Sequence, residues 1–362
     1  MEFVLSEMID LVMTARASLK HIVIQGGGTK HFYGESQSVA ASASVLDVSA
    51  YRGVINYQPS ELVITARAGT PLKEIEELLG EQRQMLAFEP PRFGPSSTIG
   101  GCVAAGLSGP RRMMAGSLRD FVLGATLLDA SGALLHFGGE VMKNVAGYDV
   151  PRLLAGSLGI FGPLIDVSLK VAPQPIAEAT VELEMDEERA LAQFAAWRRM
   201  PLPISASAWH EVHGQGVLRV RLSGSDAALN SACASIGGRK LGQEEARQWW
   251  DALRDQTYPF FKARPLWRLC VPPSSPPLGL GKVLIEWNGG LRWLADGEIE
   301  PDFVRKAAAR HGGHATLFLH DGQPSVPVFH PPSPGVRAIT ERLKHEFDPT
   351  GMFNPGRLFR EL

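Results

Sequence analysis

Gly26-Gly27-Gly28 follows a short β-branched run, His21 to Gln25, and a strand ending in glycines lets backbone N–H groups approach a phosphate with no Cβ in the way. A second small-residue stretch, Pro95-Ser96-Ser97-Thr98-Ile99-Gly100-Gly101, places Thr98 to cap a helix whose first turn holds two glycines. Such a helix start offers free N–H groups and the positive end of its dipole to a diphosphate. Two loops of this kind can grip one pyrophosphate from both sides. Taken singly, each also reads as a plain turn or a glycine-packed helix contact. A G-x-G-x-x-G count from Gly26 ends on His31, and Phe32 to Val39 shows no helical face, so a Rossmann turn is excluded. No Gly-Lys-[Ser/Thr] follows at the spacing of a Walker loop.

Arg111, Arg112 and Arg119, after the second loop, could clamp a carboxylate, neutralise a diphosphate, or simply be solvated. The ten histidines make no convincing metal set. His210 and His213 are three apart on an expected strand and face opposite sides, while His311, His314, His320 and His330 sit near turns and loops. The expectation is satisfied or surface histidines and no metal. Cys102, Cys233 and Cys270 are odd in number and far apart, which suits a reducing compartment and a structural role for all three.

The elements that must position these residues are legible in part. Strands are expected at His21–Gln25, Val45–Val48 and Leu62–Ala66. After the last, Thr70 can cap a helix with Pro71 at its first position and Leu72, Ile75, Leu78 and Leu79 on one face. Two apolar runs flank Asp129-Ala130-Ser131-Gly132-Ala133, a hairpin pattern, and Ile165 to Val171 alternates like a half-buried strand. Beyond Pro173 and Pro175 strand and helix candidates alternate, reading as α+β with an antiparallel sheet. The last helix is expected at Val336–Phe347.

At 362 residues the chain is long enough for two cores, and 44% hydrophobic with 20% charged residues is an ordinary globular balance. A formal net charge of −2 supplies no field for nucleic acid or an anionic membrane. Met1–Lys20 lacks a basic segment and a cleavage site, so no export signal is expected, and nothing approaches a membrane span.

Four stretches jointly resemble a family. Gln25–Lys30, Pro95–Gly101, Gly147–Arg152 with Gly156–Gly162, and Asp348–Gly356 are similar, in order, to the signatures of FAD-linked oxidases of the vanillyl-alcohol oxidase type, the PCMH-type FAD-binding family. The resemblance implies an α+β protein: a PCMH-type FAD-binding domain of two subdomains at 1–174, an α+β second domain at 175–334, and a helix and tail at 335–362 returning to the flavin. It implies that Gly26, Gly27, Gly28 and Thr29, with Pro95, Ser97, Thr98, Gly100 and Gly101, hold the diphosphate and ribityl chain. Gly159, Gly162 and Ile165 would lie along the flavin and adenine, and Asn354 would reach the ring edge. Members with covalent flavin place a histidine where this chain has Thr29, which implies non-covalent FAD and leaves His31 as a surface side chain.

Within the family, Leu266–Leu269 and Glu286–Leu294 are similar to second-domain sequences of the FAD-binding subunits of glycolate oxidases, their tryptophans reading as core. Related catalytic subunits and D-lactate dehydrogenases carry a Glu-His-Gly stretch; here the comparable residues run His311-Gly-Gly-His-Ala-Thr-Leu317, so no catalytic residue is assigned. The implied role is an FAD-binding subunit beside a larger catalytic flavoprotein subunit and an iron–sulfur subunit. The complex would oxidise a small hydroxy acid, glycolate, to glyoxylate, in the cytoplasm and at the membrane only through partners. Two other readings fit the same residues: a self-sufficient FAD oxidoreductase of another hydroxy acid or alcohol, and a scaffold with a redox-silent flavin site.

Overall fold

A computed structural model describes residues 1–35, 43–140 and 148–362, so Gly147, which opens one of the motifs above, lies outside the described residues. The first half is built on a five-stranded antiparallel sheet in the order Val54–Gln58, Val63–Arg67, Leu164–Lys170, Val122–Leu128, Leu134–Gly138. Leu164–Lys170 is its central strand, which corrects the half-buried reading: Ser168 is 6% exposed, its hydroxyl 2.9 Å from that of Thr65 next door. The two hydroxyls satisfy each other, so polar side chains are tolerated in a buried layer. The hairpin turn forms as its residues dictate, with Asp129 Oδ1 accepting from the N–H of Ser131 at 2.8 Å and Ala133 at 2.9 Å.

Helices Leu72–Glu81 and Ile99–Ala105 share one core with this sheet. Pro71 takes the cap position of the first, and Thr70 instead donates its hydroxyl to Arg67 O at 2.7 Å and accepts from Gly53 N at 2.9 Å. A separate parallel pair, Ile22–Gln25 and Ser44–Asp47, carries the triple glycine at its end. Helix Glu2–Ala17, unmarked in the sequence, packs Met8 and Val12 against it. The C-terminal tail joins this small sheet: Ile22 N donates to Met352 O at 2.7 Å and Asn354 N to Ile22 O at 2.9 Å.

The second half is an eight-stranded antiparallel sheet in the order Arg239–Lys240, Ala177–Glu184, Gln215–Gly224, Ile204–Val212, Val283–Glu286, Leu291–Leu294, Leu266–Cys270, His314–Leu319. Helices Glu187–Trp197, Asp226–Ile236 and Pro301–Arg310 share one core with it, and helix Gln243–Arg254 shares another with Tyr33, Ala105 and Leu107 of the first half.

A buried ion cluster ties the halves together. Glu89 pairs with Arg111 at 3.3 Å and Arg221 at 2.8 Å, while Arg111 reaches Glu178 at 2.6 Å. Burial alone would raise the Glu89 carboxyl, but Arg221 and Arg111 outweigh it and hold it below the ordinary 4.5. The unfolded chain therefore binds the extra proton as pH falls, so this stabilisation is full above pH 4.5 and is lost below it as the folded carboxyl titrates. Glu89→Gln should cost about 3 kcal/mol at neutral pH and flatten the acid limb of a urea-unfolding pH series. An acid limb as steep in the variant as in the parent would show that the clamp does not set it.

Candidate functional site

The strand Ile22–Gln25 delivers Gly26 to Lys30 to the mouth of a cleft of about 850 Å³, partly open to solvent. The N–H groups of these five residues donate to no acceptor among the described residues. The helix at Ile99 does the opposite, against expectation. Ile99 N donates to Thr70 O at 2.9 Å, Gly100 N to Ala68 O at 2.8 Å and Gly101 N to the capping Thr98 Oγ1 at 3.3 Å. Free donors therefore come from the first loop, and the second loop shapes and braces it.

That bracing is why glycines stand here. A Cβ at Gly26 would lie 2.6 Å from Thr98 Oγ1, one at Gly27 would overlap the Ser96 carbonyl, and one at Gly100 would lie 2.6 Å from Ala68 Cβ. Ser96 Oγ also donates to Gly27 O at 2.8 Å. On the far wall Gly159 has φ 74°, and a Cβ there would lie 2.7 Å from Asn354 Nδ2. Asn354 pins both sides, accepting from Ile24 N at 2.9 Å and donating to Leu158 O at 2.7 Å.

Two cations flank the loop that sequence reading did not single out. Lys30 Nζ donates to Ser97 Oγ at 2.7 Å, and burial pushes its pKa below 10.5. Arg357 donates to His31 O at 2.7 Å and Tyr33 O at 2.6 Å, and burial lowers it as well. Charge on the first loop and tail is visible in the sequence; its convergence on one cleft is not.

Gly26, Gly27, Gly28, Thr29, Thr98, Gly100, Gly101, Gly159, Gly162 and Asn354 all line the cleft. Three expected residues do not. Ser97 turns toward Lys30, Pro95 and Ser97 line a neighbouring hollow with Arg92, and Ile165 is 1% exposed, locked in the core beside Leu46 and Phe353. The wall next to Ile165 is made by Gly162, Pro163 and Leu164. His31 is exposed as expected, yet its ring also lines the cleft, and burial with Arg357 nearby lowers its pKa.

A run of free amides without side chains, two cations and apolar walls at Ala104, Ala105 and Leu158 fit the diphosphate and ring system of FAD. The other candidates fall elsewhere. Arg111 belongs to the Glu89 clamp, Arg119 is exposed, and Arg112 lies 4.3 Å over Trp287. His210 is buried, stacked 6.3 Å from Trp249, and burial lowers its pKa to about 4. Burial pushes the Cys102 thiol up to about 12. Among the described residues no group of three His, Cys, Asp or Glu side chains is placed to hold a metal.

Fold and cleft define an FAD-binding protein: residues 5–138 match the FAD binding domain family, and its cofactor is FAD. The fold also matches alkyldihydroxyacetonephosphate synthase at a TM-score of 0.68 and 14% identity, over 97% of this chain and 74% of that one. The chain belongs to the family of glycolate oxidase subunit GlcE: it is 42% identical to that subunit of Escherichia coli (strain K12), over 98% of this chain and 97% of the relative. It is also 38% identical over 85 residues to glycolate oxidase subunit GlcD of Bacillus subtilis (strain 168), which is 24% of this chain and 18% of that one.

Proposed function

We propose that this chain is the FAD-binding subunit of a glycolate oxidase complex and supports oxidation of glycolate to glyoxylate. The observation that carries this reading is the end-to-end similarity to GlcE, which spans the glycine cleft and the eight-stranded sheet alike. Bound in the cleft, FAD supplies an acceptor for a hydride from a carbon that bears a hydroxyl. The chain's own residues do the holding. Gly26 to Lys30 would offer their N–H groups to the diphosphate, Lys30 and Arg357 would balance its charge, Ala104, Ala105 and Leu158 would keep water from the rings, and Asn354 fixes the distance between the walls. Attachment is non-covalent in this reading, because Thr29 stands where covalent relatives have histidine.

The relatives' names, subunits GlcE and GlcD, point to a multi-subunit enzyme. We further propose a larger catalytic flavoprotein and an iron–sulfur subunit as partners, and the division 1–174, 175–334 and 335–362 as the chain's working parts. No helix of the described residues is long and apolar enough to cross a membrane, so membrane contact in this reading runs through partners. The test is anaerobic glycolate addition to complexes assembled with and without this chain. Flavin bleaching and turnover should need the chain; full turnover in its absence would overturn the proposal.

A further inference from the structure

Lys30 lines the cleft, and its amine is half-withdrawn from water without a carboxylate partner. Its Nζ donates to Ser97 Oγ at 2.7 Å and to Thr29 Oγ1 at 3.4 Å, and lies 5.7 Å from the centre of the Phe93 ring. It makes no ion pair among the described residues, whereas Lys73 pairs with Glu77 at 3.6 Å and Lys344 with Asp348 at 2.6 Å. Arg357 donates to the Lys30 carbonyl at 3.2 Å, so the backbone that carries the amine is held in place.

Two hydroxyls and a ring replace water poorly as partners for an ammonium ion. Burial accordingly lowers the Lys30 pKa below 10.5, against the opposing pull of Cys102 and Asp255. The neutral amine is the form that attacks a carbonyl carbon, and desolvated lysines supply it most readily. Burial lowers Lys344 as well, but Ile160 O, Asp348 Oδ2 and Phe353 O take its three N–H groups, and it lines no part of the cleft. Lys30 therefore combines a lowered amine, an open approach and a neighbouring hydroxyl, Ser97, that is itself 2% exposed.

We propose that Lys30, before FAD is loaded, forms an imine with a small aldehyde that enters the cleft, and that this aldehyde is glyoxylate. Its identity rests on the reading of this chain as part of a glycolate-oxidising complex, whose product carries an aldehyde. Lys30 Nζ bonds to the aldehyde carbon, and the carbonyl oxygen takes one proton from the nitrogen, relayed by Ser97 Oγ. The remaining N–H proton joins that oxygen, which leaves as water while the C–O bond gives way to C=N; no electrons change hands. An imine at Nζ removes the cation that would face the diphosphate, so aldehyde and FAD compete for the cleft.

The test is reductive trapping. The full chain, FAD-free or FAD-loaded, is incubated at neutral pH with glyoxylate and cyanoborohydride, and the carboxymethyl mark on each lysine is read by peptide mass spectrometry. In the FAD-free chain Lys30 should be marked about tenfold faster than Lys73 or Lys344, and bound FAD should slow it about tenfold while leaving Lys73 unaffected. Ser97→Ala should slow the marking of Lys30 about tenfold, again without effect on Lys73. The marked parent should take up less than about a tenth of its former FAD. Lys30→Arg has no amine to react, so glyoxylate pretreatment should not change its FAD uptake. Marking of Lys30 no faster than of Lys73, or marking that bound FAD leaves undiminished, overturns the imine site. Selective marking of Lys30 in a chain that proves dispensable for glycolate turnover leaves the site standing and removes the glycolate reading instead.

Discussion

Gly27→Ala should give a folded chain that retains less than about a tenth of the parent's FAD, since charge-assisted hydrogen bonds of roughly 1.5–3 kcal/mol each depend on where this loop stands. The added methyl would overlap the Ser96 carbonyl, which is backbone and cannot rotate aside. The loop must retreat, and with it go the free amides of Gly26 to Lys30. Gly80→Ala is the matched control: nothing lies within 4 Å of a Cβ there, so it should keep full FAD and gain about 0.5–1 kcal/mol of helix stability. Flavin released per chain after denaturation measures both. Full FAD and unchanged affinity in Gly27→Ala would mean that the first loop does not hold the diphosphate.

Lys344→Met should be the most destabilising single change outside the cleft. Lys344 Nζ is buried and donates to Ile160 O at 2.6 Å, Asp348 Oδ2 at 2.6 Å and Phe353 O at 2.8 Å, fastening the last helix to the tail and to the wall before Gly162. Asp348, 1% exposed, also accepts from Met352 N at 3.0 Å and Phe353 N at 2.8 Å. Removing the lysine strands a buried carboxylate at a cost of about 3–5 kcal/mol. FAD affinity should fall too, because Asn354 is the next residue after the freed tail segment. Adding Asp348→Asn should recover part of the loss, since it removes the stranded charge and keeps an acceptor oxygen for the two amides. A urea midpoint unchanged by Lys344→Met would show that this contact is not a fastening.

Local chemistry made much of the first half readable. Thr98 caps its helix, Asp129 closes its hairpin, and the triple glycine follows its strand, because each is decided within a few residues. What depends on distant partners was not readable. The family resemblance put Ile165 along the cofactor, yet distant residues such as Leu46 and Phe353 pack over its side chain and lock it in the core. Ser97 has the right chemistry for a phosphate, but Lys30 claims its hydroxyl. The amides at Ile99 and Gly100 are taken by Thr70 and Ala68 carbonyls that only the folded sheet brings there. Arg357 on the first loop and Arg112 over Trp287 join residues far apart in the chain, and nothing in local spacing marks them.

Whether the cleft holds FAD is decided by the FAD stoichiometry of the purified full chain after reconstitution, followed by acid precipitation. One FAD per chain is expected, all of it released to the supernatant. A chain that takes up no FAD would contradict the cleft as a flavin site, and flavin that stays with the precipitate would contradict non-covalent binding and direct attention to His31.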